Sequence, residues 1–301
     1  MSATALTGVF PVLQTPWRDD ECLDQPTLQR EVDWVLEVGC HGVTLGMVSE
    51  VQRLASEERD ALTEAVCQAV AGRVPVIASV GAESGHTARR HARRAEQAGA
   101  AAVMAIPPVM TALSPTDLFR YYGDIFEAID IPVVVQDASG YLGAEIPIST
   151  QAELLDRFGD RAYFKPEAAP IGPRLTALLT ATDQRARVFE GTGGIALVDS
   201  YRRGVVGTMP AADMCWALLA LWNALVAGDD ARVDAINGPL ASMVSLQSSL
   251  DLFVACEKYL LHKQGIFPTR AVRGPGAVEL DRFTTAELDR LFDLIGQAVH
   301  R

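Results

Sequence analysis

A single lysine at the end of an apolar run is the residue of this chain best suited to covalent chemistry. Lys165 closes the run 162–165. Of the 26 lysines and arginines only three are lysines, and the other two, Lys258 and Lys263, fall in a helical stretch near the C-terminus. Arginine does not lose its proton in practice, whereas a desolvated lysine can, and its amine then forms an imine with a carbonyl substrate. Lys165 is therefore the candidate nucleophile; the alternative is a structural ion pair, for instance with Glu167.

A glycine-rich segment follows another apolar run, 187–189. It reads Gly191-Thr192-Gly193-Gly194. Glycines allow backbone groups to approach a small ligand closely, and the Thr192 hydroxyl could bind a polar group of that ligand. We therefore predict substrate contacts at Gly191 and Thr192. The same residues also suit a tight turn from strand to helix, and both interpretations can hold.

Eight short apolar runs position these residues. They are rich in β-branched side chains and lack polar alternation, which is typical of strands buried on both faces. The runs are residues 9–13, 42–45, 75–80, 101–106, 132–135, 162–165, 187–189 and 205–209. Segments with helix signals lie between them, such as Ser114-Pro115, an N-cap followed by proline. The alternation predicts an α/β fold, a (β/α)8 barrel, in which chemistry lies at the carboxyl ends of the strands.

The predicted barrel occupies residues 1–210. Residues 211–301 carry signals for about three helices and for no strand, and predict a C-terminal helical layer packed as one unit with the barrel. The competing fold is a doubly wound open sheet. It would require a GxGxxG turn after the first strand, and residues 8–16 contain none.

Composition excludes several classes of protein. The chain has 301 residues, of which 49% are hydrophobic, enough for a large core rather than a disordered chain. Its net charge of −12 disfavours nucleic acid as a partner. No run predicts a membrane span or a signal peptide, and the five cysteines are scattered without a CxxC, so we expect a cytoplasmic protein with free thiols. No metal-ligand spacing is evident, and we expect neither a metal nor a cofactor.

The chain resembles the dihydrodipicolinate synthase / N-acetylneuraminate lyase family of class I aldolases over nearly its whole length. The resemblance rests on the order and spacing of residues 8–12, 15–16, 46–50, 56–59, 75–81, 131–135, 164–167 and 204–207. It implies a (β/α)8 barrel, Schiff-base catalysis by Lys165, a 2-keto acid substrate and a homo-oligomer, either a dimer or a tetramer. It also implies that Val206 contributes to substrate binding.

The carboxylate-binding motif departs from the family pattern. Its usual form is Gly-Thr/Ser-Thr-Gly-Glu, and here it reads Gly46-Met47-Val48-Ser49-Glu50. The two adjacent hydroxyls are missing, and Ser49 stands where glycine is usual. We predict that Ser49 supplies a displaced hydroxyl to the substrate, and that Glu50 braces the surrounding loops.

Three tyrosine and arginine positions of the family also differ. Gln136 stands in place of the tyrosine that shuttles protons beside the imine, and Tyr141 in place of the arginine with which dihydrodipicolinate synthases hold a carboxylate. The usual tyrosine at the end of strand four is absent from residues 107–110. Glutamine cannot act as the base of a retro-aldol cleavage, and loss of the arginine removes a bidentate ion pair. Gln136 is instead predicted to bind a substrate hydroxyl or a water.

Dehydration tolerates these losses. An imine at Lys165 is an electron sink, so that a base can remove a C3 proton and an acid can help the C4 hydroxyl to leave. Glu167 lies two residues beyond Lys165, on the same face of an extended strand, and is the predicted acid/base. The pattern is most similar to the 2-keto-3-deoxy sugar acid dehydratases of the family. The alternatives are a pyruvate-dependent aldolase or synthase, and a non-catalytic relative that binds keto acids.

Overall fold

Eight parallel strands form one sheet in the computed structural model, which describes residues 5–300. The strands are β1 (Gly8–Val9), β2 (Val43–Thr44), β3 (Val76–Ser79), β4 (Ala102–Ala105), β5 (Val133–Asp137), β6 (Ala162–Pro166), β7 (Arg187–Glu190) and β8 (Gly207–Thr208). Their order in the sheet is β1-β8-β7-β6-β5-β4-β3-β2. A parallel bridge between Val12 and Thr44 joins the two ends. The (β/α)8 barrel predicted from the sequence is thus confirmed.

Helices follow the strands and continue beyond the last one. They are α1 (Gln25–Val38), α2 (Ser56–Val70), α3 (Gly85–Gln97), α4 (Pro115–Ala128), α5 (Ile148–Phe158), α6 (Ile171–Ala181), α7 (Leu197–Arg203), α8 (Cys215–Ala227), α9 (Asp230–Ser245), α10 (Leu250–Lys263) and α11 (Arg282–His300). The predicted cap at Ser114 is confirmed, because its side chain accepts a hydrogen bond from the Asp117 N–H. No helix within residues 5–300 combines the length and the apolar character needed to cross a membrane.

Two packed layers hold the barrel together. The interior of the barrel is filled by apolar side chains on or next to several strands, among them Phe10, Met104, Tyr163 and Phe189, all 2% exposed or less. A second apolar cluster lies between the strands and the surrounding helices. Gln136 near the end of β5 and Lys165 near the end of β6 line an open space at the carboxyl-end rim, beyond this apolar filling.

Two details differ from the sequence-based expectations. The first strand is shorter than residues 9–13 because Pro11 has no N–H to donate, although the Phe10 and Val12 amides still donate to Thr208 and Pro210 carbonyls. The C-terminal segment contains four helices, α8 to α11, rather than about three. Helix α8 packs against β1 and α1, as the eighth helix of the barrel should. The division of the chain at residue 210 remains a prediction.

Candidate active site

The candidate nucleophile lies at the rim of the barrel, beside a glutamine of the neighbouring strand. Lys165 on β6 is the register partner of Gln136 on β5. The Glu167 N–H donates to the Asp137 carbonyl at 2.8 Å, so the pairing continues one residue past the end of β6. Extended backbone keeps residues i and i+2 on one face. Lys165 and Glu167 therefore point to the same side, as the sequence predicted.

Glu167 connects these side chains through both of its oxygens. Lys165 Nζ donates to Oε1 at 2.9 Å, and Gln136 Nε2 donates to Oε2 at 2.6 Å. Glu167 and Lys165 are each 4% exposed. Burial raises the pKa of Glu167, while the charge of Lys165 and the two hydrogen bonds oppose that rise. The result is a carboxylate held at a fixed position beside the amine, able to accept a proton from the amine or from a carbon next to it.

A cleft opens above this pair at the carboxyl ends of the strands. Its empty space, including the open mouth, is about 450 Å³. The polar side chains on its wall are Gln136, Tyr141, Lys165, Glu167 and Glu257. The Tyr141 ring meets the Phe253 ring edge to face, with centroids 5.8 Å apart. Apolar walls around a few convergent polar groups suit a small organic acid.

Gly191 brings the end of β7 against the lysine. A Cβ at this position would lie 2.6 Å from Lys165 Cε and 2.9 Å from Glu167 Cγ. Any side chain here would displace the nucleophile or its partner. Gly191 also lines the cleft, so its predicted contact with substrate stays a prediction that the geometry allows.

Comparison with known proteins decides the family. The model of the dihydrodipicolinate synthetase family matches residues 5–291. The chain belongs to this family. An L-2-keto-3-deoxyarabonate dehydratase from Azospirillum brasilense is 31% identical over 290 residues, which cover 93% of this chain and 92% of the relative. A 4-hydroxy-tetrahydrodipicolinate synthase from Azoarcus sp. (strain BH72) is 29% identical over 250 residues, covering 79% and 82%.

Solved structures agree with the assignment. The crystal structure of dihydrodipicolinate synthase from Rhodopseudomonas palustris matches with a TM-score of 0.87 and 26% identity, covering 96% of this chain and 97% of that one. The family resemblance found in the sequence is confirmed. Membership of this family of aldolases and lyases also supports the expectation of a lyase. The relatives carry different activities, a dehydratase and synthases, so the bond that is broken is a separate question.

Ser49 does not line the cleft. Its Oγ donates to the Leu13 carbonyl and accepts from the Gly46 N–H, and the residue is 0% exposed. The hydroxyl predicted to contact substrate therefore braces the loop after β2. Gly46, Met47 and Val48 line the cleft in its place.

Thr192 and Val206 likewise lie away from the cleft wall. Thr192 donates its hydroxyl to Glu190 Oε1, and its N–H donates to the same oxygen at 2.8 Å, so the side chain stabilises the turn after β7. Of the two interpretations of this glycine-rich segment, the structure favours the turn for Thr192. Val206 precedes β8 and packs against the interior apolar cluster, on the amino-terminal side of the strand. Sequence alone could not tell on which side of the backbone these side chains would lie.

Glu50 takes the structural role expected for it. Its Oε1 accepts from Lys258 Nζ at 2.5 Å and from Trp17 Nε1 at 2.9 Å. Lys258 also donates to the carbonyls of Thr15 and Ala271, at 2.8 and 2.7 Å, and is 0% exposed. The sequence analysis assigned Lys258 no role; here it ties α10 to the loops that follow β1 and β2.

Glu257 is the functional candidate that sequence reasoning missed. It lies on α10 and lines the cleft together with Phe253 and Leu250, one and two turns earlier on the same helix face. The available signal was a Glu-Lys pair, Glu257-Lys258, inside an otherwise apolar stretch of a predicted helix. Within residues 5–300 no group of three or more His, Cys, Asp or Glu side chains has an arrangement that could hold a metal ion.

Proposed function

We propose that this protein dehydrates a 2-keto-3-deoxy sugar acid through an imine on Lys165. The observation that carries the proposal is the bridging of Lys165 and Gln136 by Glu167. A carboxylate fixed 2.9 Å from the amine is placed to remove a proton from the carbon next to the imine. Gln136, in place of the family's tyrosine, holds that carboxylate but cannot carry a proton itself. The A. brasilense relative, named for a dehydration of this type, supports the proposal.

The reaction follows from the chemistry of a protonated imine. Lys165 attacks the keto carbon, and loss of water gives the imine. Its positive charge acidifies the C3 protons, and Glu167 takes one of them. The C3–H electrons form an enamine, and the enamine then expels the C4 hydroxyl. Hydrolysis of the remaining imine releases the product and restores the amine.

The cleft also limits what else can bind. Gly46, Met47 and Val48 line the cleft, and we place the substrate carboxylate beside this segment. The side chain in the position of the synthases' arginine is Tyr141, and no arginine lies among the residues from 5 to 300 that line the cleft. A second, aldehyde-borne carboxylate would thus lack its ion-pair partner, which favours dehydration of one acid over condensation of two.

Borohydride trapping tests the proposal. The purified protein is incubated with pyruvate, or with 2-keto-3-deoxy acids of five and six carbons, then reduced and mapped by mass spectrometry. We expect a covalent adduct on Lys165 and a product that has lost one water. Lys165→Met should lose both, whereas the surface variant Lys263→Met should keep both. Absence of an adduct on any lysine would overturn the proposal. Release of pyruvate would indicate an aldolase, and an adduct without turnover a non-catalytic binder.

The predicted assembly has its own test. We expect a homo-oligomer, either a dimer or a tetramer. Light scattering coupled to gel filtration of the purified chain would show a monomer if this expectation fails.

A further inference from the structure

A second buried carboxyl group lies in the cleft, and the imine chemistry described above does not use it. Glu257 is 2% exposed and shares the cleft wall with Lys165 and Glu167. Gln14 Nε2 donates to its Oε2. Within residues 5–300 no residue hydrogen-bonds to its Oε1. This oxygen is nevertheless not one of the completely buried polar atoms that lack a partner. Oε1 thus keeps a free acceptor position on a side chain that borders both the cleft and a smaller neighbouring cavity.

The surroundings of Glu257 favour its neutral form. Burial raises its pKa well above the ordinary value, and the charge of Asp213 adds to the rise; Lys258 and the Gln14 amide oppose it, and Glu31 raises it further. Lys258, the nearby cation, is already bound to Glu50. Burial also raises the pKa of Glu31 to about 8. Several carboxyl groups in one dry region with one committed cation cannot all be ionised at neutral pH.

The two carboxyl groups of the cleft therefore differ in what they can do. Glu167 accepts a hydrogen bond on each oxygen, one of them from an ammonium group, which stabilises its charged form. Among residues 5–300, Glu257 accepts one side-chain hydrogen bond, from an amide, and forms no salt bridge. Pairs of carboxyl groups with such different environments commonly divide the roles of base and acid in one reaction.

We propose that Glu257 is the general acid that protonates the C4 hydroxyl as it leaves. The inference rests on the dehydration proposed above. Glu167 takes the C3 proton, the C3–H electrons become the new double bond, and the C4–O bond breaks. The hydroxyl departs with the Glu257 proton as water. After the product imine is hydrolysed, Glu167 releases its proton to solvent and Glu257 takes one up, so that the site regains its starting state.

A change of leaving group separates a general acid from a structural carboxyl. Glu257→Gln keeps the size and hydrogen bonding of the side chain but cannot deliver the proton. On L-2-keto-3-deoxyarabonate or its six-carbon homologue, whichever the wild type dehydrates faster, we expect kcat to fall by about 10²–10⁴-fold. Borohydride trapping at Lys165 should persist. On the 4-deoxy-4-fluoro analogue of the same acid the loss should nearly vanish, because fluoride leaves without needing a proton.

The matched control is Glu31→Gln, which removes a buried carboxyl of the same region that does not line the cleft. Its kcat should stay close to that of the wild type on both substrates. An equal loss for Glu257→Gln on the hydroxyl and fluoro substrates, or no loss on either, would overturn the inference alone. Failure of the wild type to eliminate water from either acid would overturn the proposed function and the inference together.

Discussion

Two buried lysine–glutamate pairs lie within residues 5–300, and one of them borders the cleft. Lys165 and Glu167 share the wall of the cleft, where Lys165 Nζ makes one hydrogen bond to the described residues, at 2.9 Å. Lys258 and Glu50 lie under the C-terminal helices, where Lys258 Nζ donates to Glu50 and to two backbone carbonyls. An ammonium group has three donors. Lys258 uses all of them, whereas two donors of Lys165 have no partner among the described residues.

Burial alone therefore does not distinguish the two lysines. Both side chains are nearly inaccessible, at 4% and 0% exposure. What differs is the number of acceptors and the presence of an open space beside the nitrogen. The third lysine, Lys263, forms a surface pair with Asp289 at 2.8 Å and supplies a control for both buried ones. Variants of each pair test whether the two lysines differ in this way.

The largest effect is expected at Lys165. Replacing it by methionine keeps an apolar side chain of similar length and removes the amine on which the whole covalent route depends. We expect kcat to fall by at least about 10⁴-fold, since loss of a covalent nucleophile disables the group that acts with it. Steady-state assays on the keto-acid panel measure this, with Lys263→Met as control. Activity within a factor of ten of the wild type would show that another group forms the adduct.

Lys258→Met should instead damage the fold. It leaves the buried Glu50 with Arg53 Nη1, 3.5 Å from Oε2, as its remaining cation, and removes all three hydrogen bonds of the ammonium group. Breaking a buried pair in this way costs up to about 3–5 kcal/mol of unfolding free energy. Urea titration measures the change, and Lys263→Met should shift it by less than about 1 kcal/mol, as a surface pair does. The double variant Glu50→Gln/Lys258→Met should recover part of the loss, because the buried carboxylate that lost its ammonium partner is then replaced by a neutral amide. Equal stability of the two methionine variants would contradict the comparison.

The same pair of lysines shows how far the sequence could reach. Lys165 was identifiable because it ends an apolar run, and a barrel places strand ends around one site. Lys258 and Glu257 were not, because their partners lie more than 200 residues away in the chain and no local pattern encodes those contacts. Strand periodicity fixed the shared face of Lys165 and Glu167.

The turn residues were harder to predict. Ser49 and Thr192 were expected to face substrate, but loops have no fixed period of two or 3.6 residues that would tell which way a side chain points. Their hydroxyls bind backbone or carboxylate groups of the protein instead. Gly191 is predicted to leave room for a ligand. In the structure the absence of a side chain at Gly191 leaves room for the Lys165 side chain.

Glu167→Gln tests whether the partner of the cleft lysine acts in the reaction. It preserves the hydrogen bond to the amine but removes the base, and we expect kcat to fall by about 10²–10⁴-fold while trapping at Lys165 persists. The pKa of Glu167 is raised, and the base acts when ionised. In the wild type kcat should therefore be low at pH values below that pKa and should rise as the pH rises through it. The pH profile of the variant should lack this acidic limb. A variant that retains the acidic limb would assign it to another group.

The smallest loss of activity is expected at Gly191, a backbone position beside Lys165 that carries no charge. Gly191→Ala puts a methyl 2.6 Å from Lys165 Cε, and the lysine must move to admit it. A displacement of about 1 Å in a reacting group costs about 10²-fold in rate, so kcat and the rate of borohydride trapping should fall together. Gly296→Ala in α11 is the control, because nothing lies within 4 Å of its added methyl. An unchanged rate of trapping in Gly191→Ala would mean that the amine can reach its substrate from more than one position. The reactivity proposed for Lys165 but not for Lys258 would then not depend on the fixed geometry of the Lys165–Glu167 pair.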